Sequence, residues 1–172
     1  LAVGVQRRGE VVELLQQALD EGEPVNAVAP LKGAGFEKLS VSRHDGKTRA
    51  VMKIQEGCDR FCAYCIIPYL RGKFRSRQMD DVLYEARLLA ASGVKELIVV
   101  AQDTSRYGTD LPGHKRLLPE LLRQLCAIDG FEWIRIHYVY PDEIDDELID
   151  VIAQEEKIVK YLDIPIQHCN DK

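Results

Sequence analysis

The chain has one tryptophan, two methionines and four histidines in 172 residues. No apolar run approaches the ~20 residues that a membrane-spanning helix needs, which removes a helical span from consideration. A positive surplus is missing too. The formal net charge is −5, so the chain as a whole is not built to coat a polyanion. Short internal repeats and low-complexity tracts are absent. The five cysteines are an odd number in an ordinarily charged chain, which argues against a closed disulfide framework. What is present is 46% hydrophobic and 30% charged residues, enough for one domain with a real core. The chain does not open on methionine and stops just after a strand-like run, so it is expected to be an excerpt.

Three of the cysteines fall within eight residues, Cys58-Asp-Arg-Phe-Cys62-Ala-Tyr-Cys65. Thiolates are soft, anionic donors that tolerate redox change. A loop this short can wrap three corners of a cubane iron–sulfur cluster, and with no fourth cysteine nearby one iron keeps an open position. Open coordination suits catalysis, whereas structural sites close their shell. Zinc is the competing reading, with His168 or Cys169 closing a tetrahedron, although zinc sites usually come as two separated cysteine pairs. Cysteines kept reduced point to a reducing, cytoplasmic compartment.

Residues 9–21 carry Val11, Leu14, Leu15, Ala18 and Leu19 at helical spacing, with Gly22 and Pro24 as stop signals. Residues 22–50 read as a linker with one short strand near 39–42. From Arg49 strands and helices alternate: strand 50–55, helix 80–92, strand 96–101, helix 115–127, strand 133–140, helix 142–154 and strand 159–166. This order predicts an α/β fold of right-handed parallel βαβ units with about four strands. The polar segments that follow the strands then share one rim, where such folds build their sites. They are the cysteine loop, Gln102-Asp103-Thr104-Ser105, Tyr140-Pro141-Asp142 and Gln167-His168. Residues 53–77 hold six basic and two acidic residues, and this run is a candidate for an anionic ligand or an RNA partner, or for a solvated face. Cys126 is expected in the core and His137 in a structural role.

The cysteine spacing, with Tyr64 before the last cysteine, resembles the signature of the radical S-adenosylmethionine (SAM) enzymes. Glu56-Gly-Cys58, Cys65-Ile-Ile-Pro68 and Arg71-Gly-x-x-Arg75-Ser-Arg77 resemble their methylthiotransferase branch. The stretch from Ala101 through Gln-Asp-Thr-Ser-Arg-Tyr-Gly-Thr to Asp110 is similar to the RimO type, as are His137-Tyr-Val-Tyr-Pro141 and Asp163-Ile-Pro-Ile-Gln-His168. The MiaB type, which modifies a tRNA adenosine, usually carries an Asn-Val-Asn-Ser-Tyr-Gly-like stretch at the first of these. Gln78 departs from the family's usual proline.

This resemblance implies a partial radical SAM (β/α)6 TIM-like barrel. It implies a [4Fe–4S] cluster on Cys58, Cys62 and Cys65, and SAM contacts from Tyr64, Gln102 and Asp103, with an Asx turn or helix cap as the plainer role for Gln102 and Asp103. Residues 1–22 would be the last helix of a truncated methylthiotransferase domain, 23–48 a linker and 49–172 the radical SAM core. A second cluster would sit on cysteines upstream. The implied substrate is an aspartate of a small-subunit ribosomal protein, and the implied electron donor is a flavodoxin or ferredoxin.

Overall fold

The computed structural model describes residues 1–30, 36, 48–167 and 169–170. The strand expected near 39–42 and the candidate ligand His168 lie outside the described residues.

The amino-terminal segment pairs β1 (Ala2–Val3) in parallel with β2 (Asn26–Ala27) around α1 (Val11–Glu21). A 3-10 turn at Arg8–Glu10 precedes α1, and Gly22 ends it in the left-handed conformation. The predicted apolar face of α1 is present, yet only Leu14 is buried, while Val11, Leu15 and Leu19 stay exposed.

The main body follows as β3 (Arg49–Lys53), β4 (Gln55–Glu56), α2 (Ile67–Arg71), β5 (Arg75–Ser76), α3 (Met79–Ala91), β6 (Glu96–Val100), α4 (Leu118–Cys126), β7 (Trp133–Ile136) and α5 (Asp146–Gln154). Strands β3, β6 and β7 form a parallel sheet in that order, with Ala50 opposite Leu97 and Leu97 opposite Ile134. Each new strand is added on the same side of the previous one. That is how a barrel wall grows, whereas a doubly wound sheet reverses direction.

Side chains alternate across a strand, and here the alternation separates two different faces. Ala50, Met52, Leu97, Val99, Ile134 and Ile136 point to one face and join Val82, Leu89, Leu121, Leu125 and Val151 of the helices in a single core. The other face carries Val51, 56% exposed, in register with Ile98 and Arg135. This second face is the concave side of the wall. At its carboxyl end it presents Lys53 and Val100, and two residues further on the same parity gives Gln102.

The helices begin where local chemistry dictates. Gln78 enters α3 extended, at φ −61°, so this residue supplies the start that a proline would fix. Pro119 delays α4 to Leu118, three residues later than the periodicity suggests. Asp145 caps α5 by accepting from the Leu148 N–H at 2.9 Å.

The expected fourth strand is the main correction. In place of a strand over 159–166 the chain makes one parallel bridge, Ile134 to Ile158. The Tyr161 N–H turns back to the Val159 carbonyl at 2.7 Å, which bends the chain out of the ladder. Pro165 has no N–H to offer. The strand expected over 133–140 likewise stops at Ile136, because Tyr138 adopts φ +61°.

Candidate cluster and cofactor site

The cysteine loop starts where β3 leaves the sheet. Strands β4 and β5 pair antiparallel, Gln55 with Ser76 and Glu56 with Arg75, and fold the basic run back against the loop's base. The Cys58 N–H donates to the Gly72 carbonyl at 3.1 Å. This approach requires glycine at 57. Its φ is +84°, and a Cβ there would fall 2.6 Å from the Gly72 oxygen and closer still to that of Lys73. Gly57→Ala is therefore expected to destabilise the protein by about 2 kcal/mol or more, read by denaturant unfolding. An unchanged midpoint would mean that the crossing relaxes at no cost.

At the loop's far end the Cys65 N–H donates to the Cys62 carbonyl at 2.9 Å, and α2 follows directly. Phe61, directly before Cys62, sits at φ +50° and packs edge-on against Tyr69. All three cysteines are free thiols of intermediate burial. Burial pushes the Cys58 thiol up, against a hydrogen bond from the Arg60 backbone N–H.

Cys58, Cys62 and Cys65 line one wall of a cavity of about 440 Å³. Its other walls are Lys53, Tyr64, Val100, Gln102, Tyr138, Tyr140, Pro165 and Gln167. That volume suits one cofactor-sized ligand. The Gln102 Oε1 is buried and has no hydrogen-bond partner among the described residues. A buried, unsatisfied acceptor on a cavity wall awaits a donor. Beside the cysteines the Tyr140 hydroxyl donates to Gln167 Oε1 at 2.9 Å. With that proton committed, the Cys62 thiol is the donor in its 3.0 Å contact with the Tyr140 oxygen.

The donor set fits a cluster better than a single ion. Among the described residues no three His, Cys, Asp or Glu side chains converge closely enough to hold one metal ion. Zinc needs its sulfurs about 2.3 Å from a common centre. Cysteines spread along a cavity wall suit a larger polynuclear group, and Cys169, the other proposed zinc ligand, is exposed.

The structure brings Tyr64 and Gln102 to the cavity but not Asp103. Asp103 is 2% exposed, with Oδ2 accepting from Arg60 Nε at 3.2 Å and Nη2 at 3.1 Å, and Oδ1 accepting from the Ser105 hydroxyl. The basic run is also turned inward. Arg71 and Arg75 meet Glu56, and Arg77 pairs with Glu85 at 2.7 Å in a buried position. Of its six cations only Lys53 lines the cavity. Cys126 lies in the core as expected, its thiol pushed up to about 11 by burial.

Sequence reasoning passed over Lys53, Tyr138 and Arg60. Strand parity was the available signal for Lys53, which shares the concave face with Val51. Nothing in the spacing announces Tyr138, whose place on the wall depends on its positive φ.

The Radical SAM superfamily model matches residues 52–172. This chain belongs to the radical SAM superfamily. Among curated relatives, this radical SAM chain is 62% identical over 169 residues to "Ribosomal protein uS12 methylthiotransferase RimO" of Lachnoclostridium phytofermentans, covering 98% of the chain and 38% of the relative. It is 48% identical over 176 residues to the protein of the same description from Acetivibrio thermocellus, covering 99% of the chain and 39% of the relative. The chain thus spans under two fifths of these relatives' length. Among solved structures it resembles the radical SAM methyltransferase TsrM of Kitasatospora setae, described with tryptophan and a SAM analogue bound. The TM-score is 0.54 at 18% identity, over 72% of this chain and 23% of that one. A second TsrM structure, with cobalamin and a [4Fe-4S] cluster bound, matches at a TM-score of 0.50 and 18% identity, over 66% and 21%. At that identity the likeness shows a shared fold.

Proposed function

We propose that this chain is the cluster-and-SAM core of a methylthiotransferase that modifies an aspartate of ribosomal protein uS12. The observation that carries the site assignment is the shared cavity, with three free thiols on one wall and the unsatisfied Gln102 oxygen on another. The substrate assignment rests on the similarity to the RimO relatives.

Cys58, Cys62 and Cys65, which line the cavity, would hold a [4Fe–4S] cluster. Gln102 Oε1 would accept a hydrogen bond from SAM, and Tyr64 would pack beside the cluster. When both are bound they would supply one-electron reductive cleavage of SAM, the radical chemistry that methylthio transfer to the aspartate needs. The chain's own part is to orient the ligand and keep water out. Once Cys62 is a cluster-bound thiolate it has no proton to give, so the Tyr140 hydroxyl, 3.0 Å from its sulfur and 2.9 Å from Gln167 Oε1, would be the donor at that contact. Asp103 contributes through Arg60 rather than by touching the ligand. A second cluster on upstream cysteines, an electron donor such as flavodoxin or ferredoxin, and a cytoplasmic location complete the proposal.

Gln102→Ala is expected to weaken SAM binding by about 1.5–3 kcal/mol, the worth of a hydrogen bond to a charged ligand, with iron content unchanged. Equal affinity, measured by calorimetry under anaerobic conditions, would remove Gln102 from the ligand shell. The substrate is tested by incubating the reconstituted full-length protein with SAM, a reductant and either ribosomes or tRNA. A methylthio mass gain on a uS12 aspartate is the expected product; modification of tRNA adenosine alone would reassign the protein to the MiaB type.

A further inference from the structure

Arg60 lies between the first two cysteines but does not line the cavity that they line. Its side chain reaches away from the loop to two other rim segments. Nε and Nη2 donate to Asp103 Oδ2, just after β6, and Nη2 donates to Glu143 Oε1 at 2.6 Å, after β7. The guanidinium also lies 4.4 Å from the centroid of the Tyr140 ring. Asp59, one residue earlier, faces the opposite charge: its Oδ1 accepts from Arg106 Nη1 at 2.6 Å. Arg106 is itself stacked 4.0 Å over Phe74.

We propose that Asp59 and Arg60 are positioning residues that hold the three-cysteine loop in its ligating shape before any metal enters. Residues 57–66 contain no regular helix or strand, and an unpinned loop must be ordered at an entropic cost when the metal binds. The adjacent negative and positive side chains are drawn to partners of opposite sign. A slip of one residue in one direction would set Asp59 against Asp103 and Glu143, and a slip in the other would set Arg60 against Arg106, so the charge pattern fixes the register as well as the position. Arginine is required for the second anchor. Its planar fork serves two carboxylates while its face stacks on Tyr140, and lysine can do only part of this. The same anchor couples the cysteine loop to the segments after β6 and β7, which supply Gln102, Tyr138 and Tyr140 to the cavity. The strained Phe61 backbone is thereby held between two anchored neighbours and the Cys62–Cys65 turn.

This inference rests on the cysteine loop being the cluster site, but its test does not need the cluster. In the metal-free full-length protein, amide exchange over residues 57–66 and alkylation of Cys58, Cys62 and Cys65 by iodoacetamide are followed by mass spectrometry. Arg60→Ala is expected to accelerate both about tenfold, while amides of β3 and β6 keep their rates. Arg60→Lys is expected to recover part of the protection. Asp59→Asn and Glu143→Gln, which each remove one arm, are expected to accelerate exchange about threefold, and they carry the test if Arg60→Ala does not fold. Rates within twofold of wild type in all of these variants would overturn the proposal. So would equal acceleration throughout the sheet, which would mark the residues as general stabilisers. A wild-type protein that takes up no iron and sulfide would sink the cluster assignment while leaving the loop result standing.

Discussion

Alanine at Cys58, Cys62 or Cys65 is expected to leave a protein that takes up less than about a tenth of the wild-type iron and sulfide on anaerobic reconstitution, because in the proposed assignment each thiolate would hold one iron of the cluster. The loss should be equal at the three positions, since all three line the same wall and none has a described neighbour of its own kind to replace it. Cys126→Ala is the internal control. Cys126 is buried in the core behind the sheet, and its thiol is pushed up to about 11 by burial. Its replacement should lower stability modestly and leave iron content intact. Loss of cluster from Cys126→Ala equal to that from the loop variants would break the assignment, because the effect would then report folding.

Glu56→Gln is expected to carry the largest stability penalty outside the core. Glu56 is 2% exposed and stands directly before Gly57 and Cys58. Its Oε1 accepts from Arg71 Nη1 at 2.9 Å and lies 3.6 Å from Lys53 Nζ; its Oε2 lies 3.2 Å from Arg8 Nη2 and 4.0 Å from Arg75 Nη2. One buried carboxylate thus serves four cations, one of them from the amino-terminal segment. Burial pushes the carboxyl up, and the four cations together outweigh it, so the group ends below its ordinary 4.5. Removing one partner of a buried ion pair costs roughly 3–5 kcal/mol, and solvent around the partly exposed arginines and lysine holds the figure to about 3 kcal/mol. The sign of the pH dependence follows. A depressed folded-state value means that the contribution is full above pH 4.5 and is lost as pH falls through the lower folded-state value. Denaturant unfolding of wild type and Glu56→Gln at several pH values checks both points. The two should differ at pH 7 and converge in acid. A constant difference down to low pH would show that packing, and not charge, is the source.

Much of the wall and half of the site were legible in the sequence. The alternation of β3, β6 and β7 with α3, α4 and α5 follows from periodicity alone, because the strands are short apolar runs and the helices carry one apolar face each. Cys58, Cys62, Cys65 and Gln102, singled out by spacing and by position at strand ends, all line the one cavity. The fourth strand was not, because a run such as 159–166 is apolar enough to be a strand while its place in a ladder depends on a neighbour and on a local turn. Asp103 was taken for a ligand contact because it follows a buried strand. Only the fold brings Arg60, 43 residues earlier, onto its carboxylate. The basic run is visible in one dimension, whereas the buried Glu56 and Glu85 that pair with Lys53, Arg71, Arg75 and Arg77 are visible only in three.

The most direct test of the cluster-and-SAM assignment is the product ratio from SAM in the anaerobically reconstituted, reduced full-length protein. Wild type is expected to release methionine and 5′-deoxyadenosine in equal amounts, and Cys65→Ala to release neither. A wild-type protein that binds iron, sulfide and SAM but yields only S-adenosylhomocysteine, or no 5′-deoxyadenosine, would contradict it.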